Sequence, residues 1–140
     1  MNTGFLKNNF EQIFKQKAAD LFFSPGRINI IGEHTDYNGG HVFPCAISLG
    51  TYAAYGPRED KKIAVCSGNM DDDLVIFEIG DRELEKDPDH KWINYFKGMA
   101  AYVQDESREI DHGFNLYVWG NLPYGAGLSS SASIEMLVGH

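Results

Sequence analysis

Glycines at 125 and 127, followed by hydroxyls at Ser129, Ser130, Ser131 and Ser133, form the part of this 140-residue sequence best suited to hold an anion. Glycine lets the backbone fold tightly and approach a ligand, so successive N–H groups can line one concavity. Serine hydroxyls donate to phosphate oxygens or, through a lone pair, ligate a magnesium ion carried in with a nucleotide. The run has no lysine, which separates it from G-x-x-x-x-G-K-[ST], and no third glycine completes G-x-G-x-x-G. Charge neutralisation must then come from backbone dipoles and metal. A plain turn followed by a helix cap fits the same residues, and they leave that reading open.

A second polar cluster lies far upstream, at Gly32-Glu33-His34-Thr35-Asp36-Tyr37-Asn38-Gly39-Gly40. Carboxylates accept hydrogen bonds from sugar hydroxyls, while His and Tyr donate or accept, so the cluster suits a polyol. Glu, His and Asp are also metal ligands, although three within four loop residues rarely converge without a further ligand. A solvated acidic turn is the third reading.

Both clusters need elements to carry them. Phe114, Leu116 and Val118 alternate with Asn115, Tyr117 and Trp119, the period of a strand. Ile134, Leu137 and Val138 keep one helical face, so a helix starting near Ser130 or Ser131 would aim its free N–H groups and positive dipole end into the glycine turn. That helix runs only to about Gly139, with no downstream element to cover its apolar face, and the sequence reads as cut short. Upstream, a strand over 27–31 with Ile28 and Ile30 on its apolar side delivers the second cluster. It follows an amphipathic helix that begins at Asn9, runs through Phe10, Ile13, Phe14, Lys17 and Leu21, and is stopped by Pro25-Gly26.

Between the clusters, 42–56 reads as strands, and 62–67 with 74–79 as a hairpin joined by a turn too acidic to be buried. That turn lacks the glycine and terminal glutamate of an EF-hand, so its three aspartates read as solvated. Trp92, Tyr95, Phe96, Met99, Tyr102 and Val103 form a helical stripe of core type. Cys45 and Cys66 read as buried thiols, and His90, His112 and His140 have no partner nearby in sequence. A net charge of −8 argues against non-specific binding of nucleic acid or anionic membrane. With no long apolar run and no signal-peptide start, a cytoplasmic protein of one domain is expected.

The string Pro-x-Gly-x-Gly-Leu-Ser-Ser-Ser-Ala-Ser at 123–133 resembles the ATP-binding loop of the GHMP kinases, the superfamily of galactokinase, homoserine kinase, mevalonate kinase and phosphomevalonate kinase. Gly26-Arg27-Ile28-Asn29-Ile30-Ile31-Gly32-Glu33-His34-Thr35-Asp36-Tyr37 is similar to the galactokinase signature G-R-x-N-[LIV]-I-G-[DE]-H-x-D-Y at every fixed position, and 38–44 and 92–98 continue in the same manner. The resemblance covers nearly the whole chain. It implies an α+β fold with a mixed sheet backed by helices, the incomplete N-terminal domain of the GHMP kinase fold over 1–140, with a sugar loop at 26–44 and a phosphate loop at 122–133.

It further implies transfer of the ATP γ-phosphoryl group to the anomeric hydroxyl of galactose. Glu33, His34, Thr35 and Asp36 would hold the sugar, with Tyr37 supporting the loop, and Arg27 would sit beside the reacting hydroxyl. Gly125, Ala126, Gly127, Leu128, Ser129, Ser130 and Ser131 would wrap the triphosphate, Ser131 would help ligate Mg2+, and Ser67 aligns with a nucleotide-contacting position of some members. The family's catalytic aspartate, an acidic magnesium ligand and a sugar-contacting tyrosine would lie past His140, so the chain alone is expected to lack useful kinase activity, with a monomer expected for the full-length protein. A catalytically silent sugar and nucleotide sensor, or a kinase of N-acetylgalactosamine or galacturonate, are the competing expectations.

Overall fold

The computed structural model describes residues 3–32, 34–79, 85–105, 110–123, 125 and 127–140, with the backbone alone for Asp36 and Asp105. Chain order runs α1 (Thr3–Phe14), β1 (Asp20–Ile31), β2 (Phe43–Pro57), β3 (Lys62–Ser67), β4 (Asp73–Glu78), α2 (Asn94–Asp105), β5 (Phe114–Gly120) and α3 (Ser130–Gly139), with single 3-10 turns at Asp36–Asn38 and Lys91–Ile93. The strands form one sheet in the order β1-β2-β5-β3-β4. All neighbours are antiparallel except β3 and β5, which are parallel, so this is the expected mixed sheet with helices against it.

Period-two alternation sorts the strands' side chains into two cores. Ala53, Ile63, Val65, Leu116 and Val118 face one side, where Phe96 and Ala100 of α2 and Leu137 of α3 cover them. Ala54, Cys66 and Tyr117 face the other, under Leu6 and Phe10 of α1. Tyr117 is therefore as deeply buried as Leu116, and β5 is covered on both faces.

Several expectations from sequence are corrected. The first helix occupies Thr3–Phe14, not 9–21, because its buried stripe is Leu6 and Phe10, and Lys15 leaves helical geometry at φ 55. Leu21, Phe22 and Phe23 instead pair with Ala54, Ala53 and Tyr52, so Pro25-Gly26 lies inside a strand. Proline is tolerated there because β1 is an edge of the sheet. The far end of β1 is not buried: Ile30 and Ile31 are exposed, as are Val42 and Phe43 opposite. Tyr102 is exposed and stands outside the core stripe. Cys45 is exposed, whereas Cys66 is buried. Burial, and then Asp72 and Asp73, push the Cys66 thiol up to about 12, so it stays protonated and is no nucleophile.

His90 does have partners, lying 3.3 Å from Asp87 and 3.6 Å from Asp73. The apolar face of α3 is covered by elements that precede it, since α3 packs on β1, β2 and α2. Among the described residues, no helix is long and apolar enough to cross a membrane.

At the opposite end of β5 from the glycine turn, Arg58 forks onto Asp60, with Nε donating to Oδ1 at 2.7 Å and Nη2 to Oδ2 at 2.6 Å, while Nη1 donates to Asn115 at 2.8 Å. The guanidinium hydrogen bond holds the Asp60 carboxyl down at about 2. A carboxyl whose pKa is depressed by folding adds stability that is complete above its unfolded value of about 3.9 and lost as pH falls through its folded value. Asp60→Asn is therefore expected to lower the urea midpoint at neutral pH, with parent and variant converging between pH 4 and 2. A constant gap across that window would refute the assignment.

Candidate functional site

Strand direction gathers the two polar clusters. β1, β5 and β3 all point the same way, because β1 and β5 each run antiparallel to β2 and β3 is parallel to β5. The loop after β1, the turn after β5 and the turn after β3 that follows Ser67 thus leave the same end of the sheet.

The glycine turn is built for open backbone. Gly125 and Gly127 have φ of 71° and 67°, and among the described residues a Cβ on either would meet nothing within 4 Å beyond its chain neighbours. Their requirement for glycine comes from the left-handed backbone and not from crowding. Ser129, directly before α3, is also left-handed at φ 57°, ψ 46°, and its side chain makes no capping bond. Left-handed residues at every second position, 125, 127 and 129, directly ahead of a helix suit a hollow of backbone N–H groups of the kind that receives phosphate oxygens.

Four sets of hydrogen bonds fix this turn to the sheet. Asn69, just past Ser67, donates to the Gly120 carbonyl at 2.9 Å and accepts from its N–H at 2.7 Å. Asn121 does the same for Gly50, accepting its N–H at 2.8 Å and donating from its own N–H at 3.2 Å. The buried Ser133 hydroxyl lies 2.8 Å from the Ser24 carbonyl and 2.9 Å from the Thr51 hydroxyl, seating the first turns of α3 on β1 and β2. The Arg27 N–H donates to the Leu128 carbonyl at 3.2 Å.

That last bond ties the strand that leads to the polar loop directly to the glycine turn. The pairing of β1 with β2 slips between Pro25 and Arg27, freeing the Arg27 donor for the turn. Gly26 makes the approach possible, since a Cβ there would lie 2.5 Å from Leu122 and 2.9 Å from the Leu128 carbonyl. The Arg27 side chain is exposed. The polar loop begins five residues further along β1, about 16 Å away at strand rise.

Within that loop, Gly32 (φ 98°), His34 (φ 64°) and Gly39 (φ 72°) supply the bends. Thr35 is the hub: its hydroxyl lies 2.6 Å from the Gly32 carbonyl and 3.0 Å from that of His41, and its own carbonyl accepts from Asn38 and Gly40. The Tyr37 hydroxyl is 2.9 Å from His34 Nδ1, and both side chains are exposed. Glu33, the Asp36 side chain and Ala126 lie outside the described residues. Ser67 is buried beside Val118, its register partner on β5. Among the described residues, no three His, Cys, Asp or Glu side chains are grouped to hold a metal ion. The Ser131 hydroxyl lies 2.8 Å from that of Tyr95 in the first turn of α2.

Sequence reasoning did not single out Asn69, Asn121 or Ser133 as supports. The two asparagines carried a signal, since short amides at strand ends commonly close backbone turns. The partner of Ser133 did not, because it lies 109 residues away.

The glycine turn, the helix behind it and the polar loop that leaves the same end of the sheet, two strands away, are those of a GHMP kinase N-terminal domain. The model of that domain, "GHMP kinases N terminal domain", matches residues 94–140, and "Galactokinase galactose-binding signature" matches 8–57. Within that class, the chain belongs to the galactokinase family. It is 63% identical over 139 residues to a galactokinase of Limosilactobacillus fermentum and 61% identical to one of Lactobacillus helveticus, in each case covering 99% of this chain and 36% of the relative. The solved galactokinase of Lactococcus lactis complexed with galactose superposes at a TM-score of 0.87 with 43% identity, over 96% of this chain and 35% of that one. A Methanococcus jannaschii mevalonate kinase, 18% identical, shares the fold at a TM-score of 0.68 over 85% of this chain and 38% of its own. The chain spans about a third of the length of the relatives it matches.

Proposed function

We propose that this chain supplies the galactose-binding loop and the ATP phosphate-binding turn of a galactokinase, which transfers the γ-phosphoryl group of ATP to the anomeric hydroxyl of galactose. The observation that carries the reading is the Arg27–Leu128 bond, which joins the strand feeding the sugar loop to the turn suited to phosphate. The likeness to a galactokinase complexed with galactose supports the choice of sugar. In this reading Glu33, His34, Thr35 and Asp36 bind the hexose and Tyr37 braces His34. Residues 125–131 wrap the triphosphate and Ser67 lies toward the nucleotide.

Arg27 stands beside the reacting hydroxyl, where a fixed positive charge stabilises the transferring group. Magnesium fits the same end of the sheet, because the cradle at Gly125 and Gly127 is open and Ser131 offers an oxygen beside it. When bound with ATP, it neutralises charge developing on the phosphates. The protein's own contribution is placement: the loop after β1 and the turn after β5 hold the two substrates at one end of the sheet.

Calorimetry with sugars tests the reading. Galactose is expected to bind and glucose to bind at least tenfold more weakly, since a site built to bond one hydroxyl rejects its epimer. Asp36→Asn is expected to remove most of the galactose affinity, because it replaces one of the carboxylate's acceptor oxygens with a donor and removes the charge. Preference for N-acetylgalactosamine or galacturonate would reassign the substrate. Indifference to every sugar would overturn the reading.

A further inference from the structure

We propose that Tyr95 is a positioning residue for the Ser131 hydroxyl, orienting that oxygen toward the magnesium of bound MgATP; the inference rests on the phosphate-turn reading above. The observation is the 2.8 Å contact between the two hydroxyls, formed across 36 residues between the first turn of α2 and the first turn of α3. A serine hydroxyl has one proton and two acceptor directions, and an unpartnered one rotates freely. A cation drawing on one lone pair polarises the O–H, so the proton then needs a definite acceptor. The Tyr95 oxygen is placed to take it, leaving the Ser131 lone pairs turned away from α2.

Tyr95 is itself firmly carried. Its neighbours Ile93 and Phe96 are in the core, at 0% and 2% exposure. Asn94 pins the start of α2, accepting from the Asp87 N–H at 2.8 Å and donating to the Asp87 carbonyl at 3.0 Å. The phenol thus stands on a helix whose position is set by packing, as second-layer groups that orient metal ligands characteristically do.

The competing role is a simple clasp between two helices, and metal dependence separates the two. ATP binding is measured by calorimetry with magnesium and again with EDTA, for parent, Tyr95→Phe, Ser131→Ala and the double variant, each checked by thermal melting. Loss of an outer group around a metal ligand weakens metal-linked binding about tenfold or more. Tyr95→Phe is therefore expected to weaken MgATP binding about tenfold while changing metal-free ATP binding less than twofold. Ser131→Ala should weaken MgATP binding at least as much, and the double variant should weaken it no further than Ser131→Ala alone. Equal effects with and without magnesium, or none, would overturn the positioning role while leaving the phosphate turn intact. Failure of the parent to bind ATP at all would overturn the phosphate turn, and this inference with it.

Discussion

Replacing Gly127 with valine is expected to abolish MgATP binding while leaving the fold intact. The residue sits at φ 67°, where an L-amino acid costs about 1–2 kcal/mol and a β-branched one more. Among the described residues, no atom beyond its chain neighbours lies within 4 Å of the position a Cβ would take, so the sheet and helices meet no collision. The new side chain would instead fill the hollow in which phosphate oxygens would meet backbone N–H groups. A loss of at least about a hundredfold in affinity, about 2.8 kcal/mol, follows if two or three such hydrogen bonds are lost. Calorimetry against ATP with magnesium measures it, and thermal melting should show a fall of only a few degrees. Gly98 is the matched control, since it too has open space but lies in the interior of α2. Gly98→Ala should leave binding unchanged and raise stability by about 0.5–1 kcal/mol. Unimpaired ATP binding by Gly127→Val would remove the turn from the nucleotide site.

Gly26→Ala is expected to damage stability and nucleotide affinity together, and the pairing of the two effects is its signature. Its Cβ would press on Leu122 and on the carbonyls of Leu128 and Leu49, and of these only the leucine tip yields cheaply. The turn must then move away from β1, breaking the Arg27 N–H bond to Leu128. Overpacking of this kind costs about 1–3 kcal/mol, and the broken bond about 1 more. Urea unfolding should register the first, calorimetry a drop in ATP affinity, and hydrogen exchange a loss of protection at the Arg27 amide. An unshifted midpoint with that amide still protected would mean that the strand and the turn are not coupled there.

The parts of the fold written in local pattern were legible from sequence. Strand, glycine turn and helix over 114–139 follow from alternation, two glycines and one helical stripe, and the hairpin of Lys62–Ser67 with Asp73–Glu78 follows from two apolar runs around an acidic turn. The error at 15–26 has an equally local cause. Leu21, Phe22 and Phe23 suit either period, and Pro25-Gly26 is ordinarily a terminator. What makes it strand is pairing with Tyr52, Ala53 and Ala54, information held elsewhere in the chain. The exposure of Ile30 and Ile31 escaped for a related reason, because apolar alternation says which residues share a face but not whether anything covers it. At the site, the signature strings placed the two loops, whereas their supports come from contacts such as Asn69 to Gly120, 51 residues apart, that no local spacing encodes.

Strand β5 follows every other strand in sequence yet lies third in the sheet, between β2 and β3. Before it arrives, the β1–β2 and β3–β4 ribbons have no shared neighbour, and neither the Asn69–Gly120 bonds nor the Arg27–Leu128 bond can exist. Closure of the sheet and assembly of the end proposed to bind substrates therefore depend on the same late-arriving strand, whose long-range pairing is of the kind that forms slowly. A molecule held at that end would protect the protein against wholesale unfolding and not merely quieten one loop.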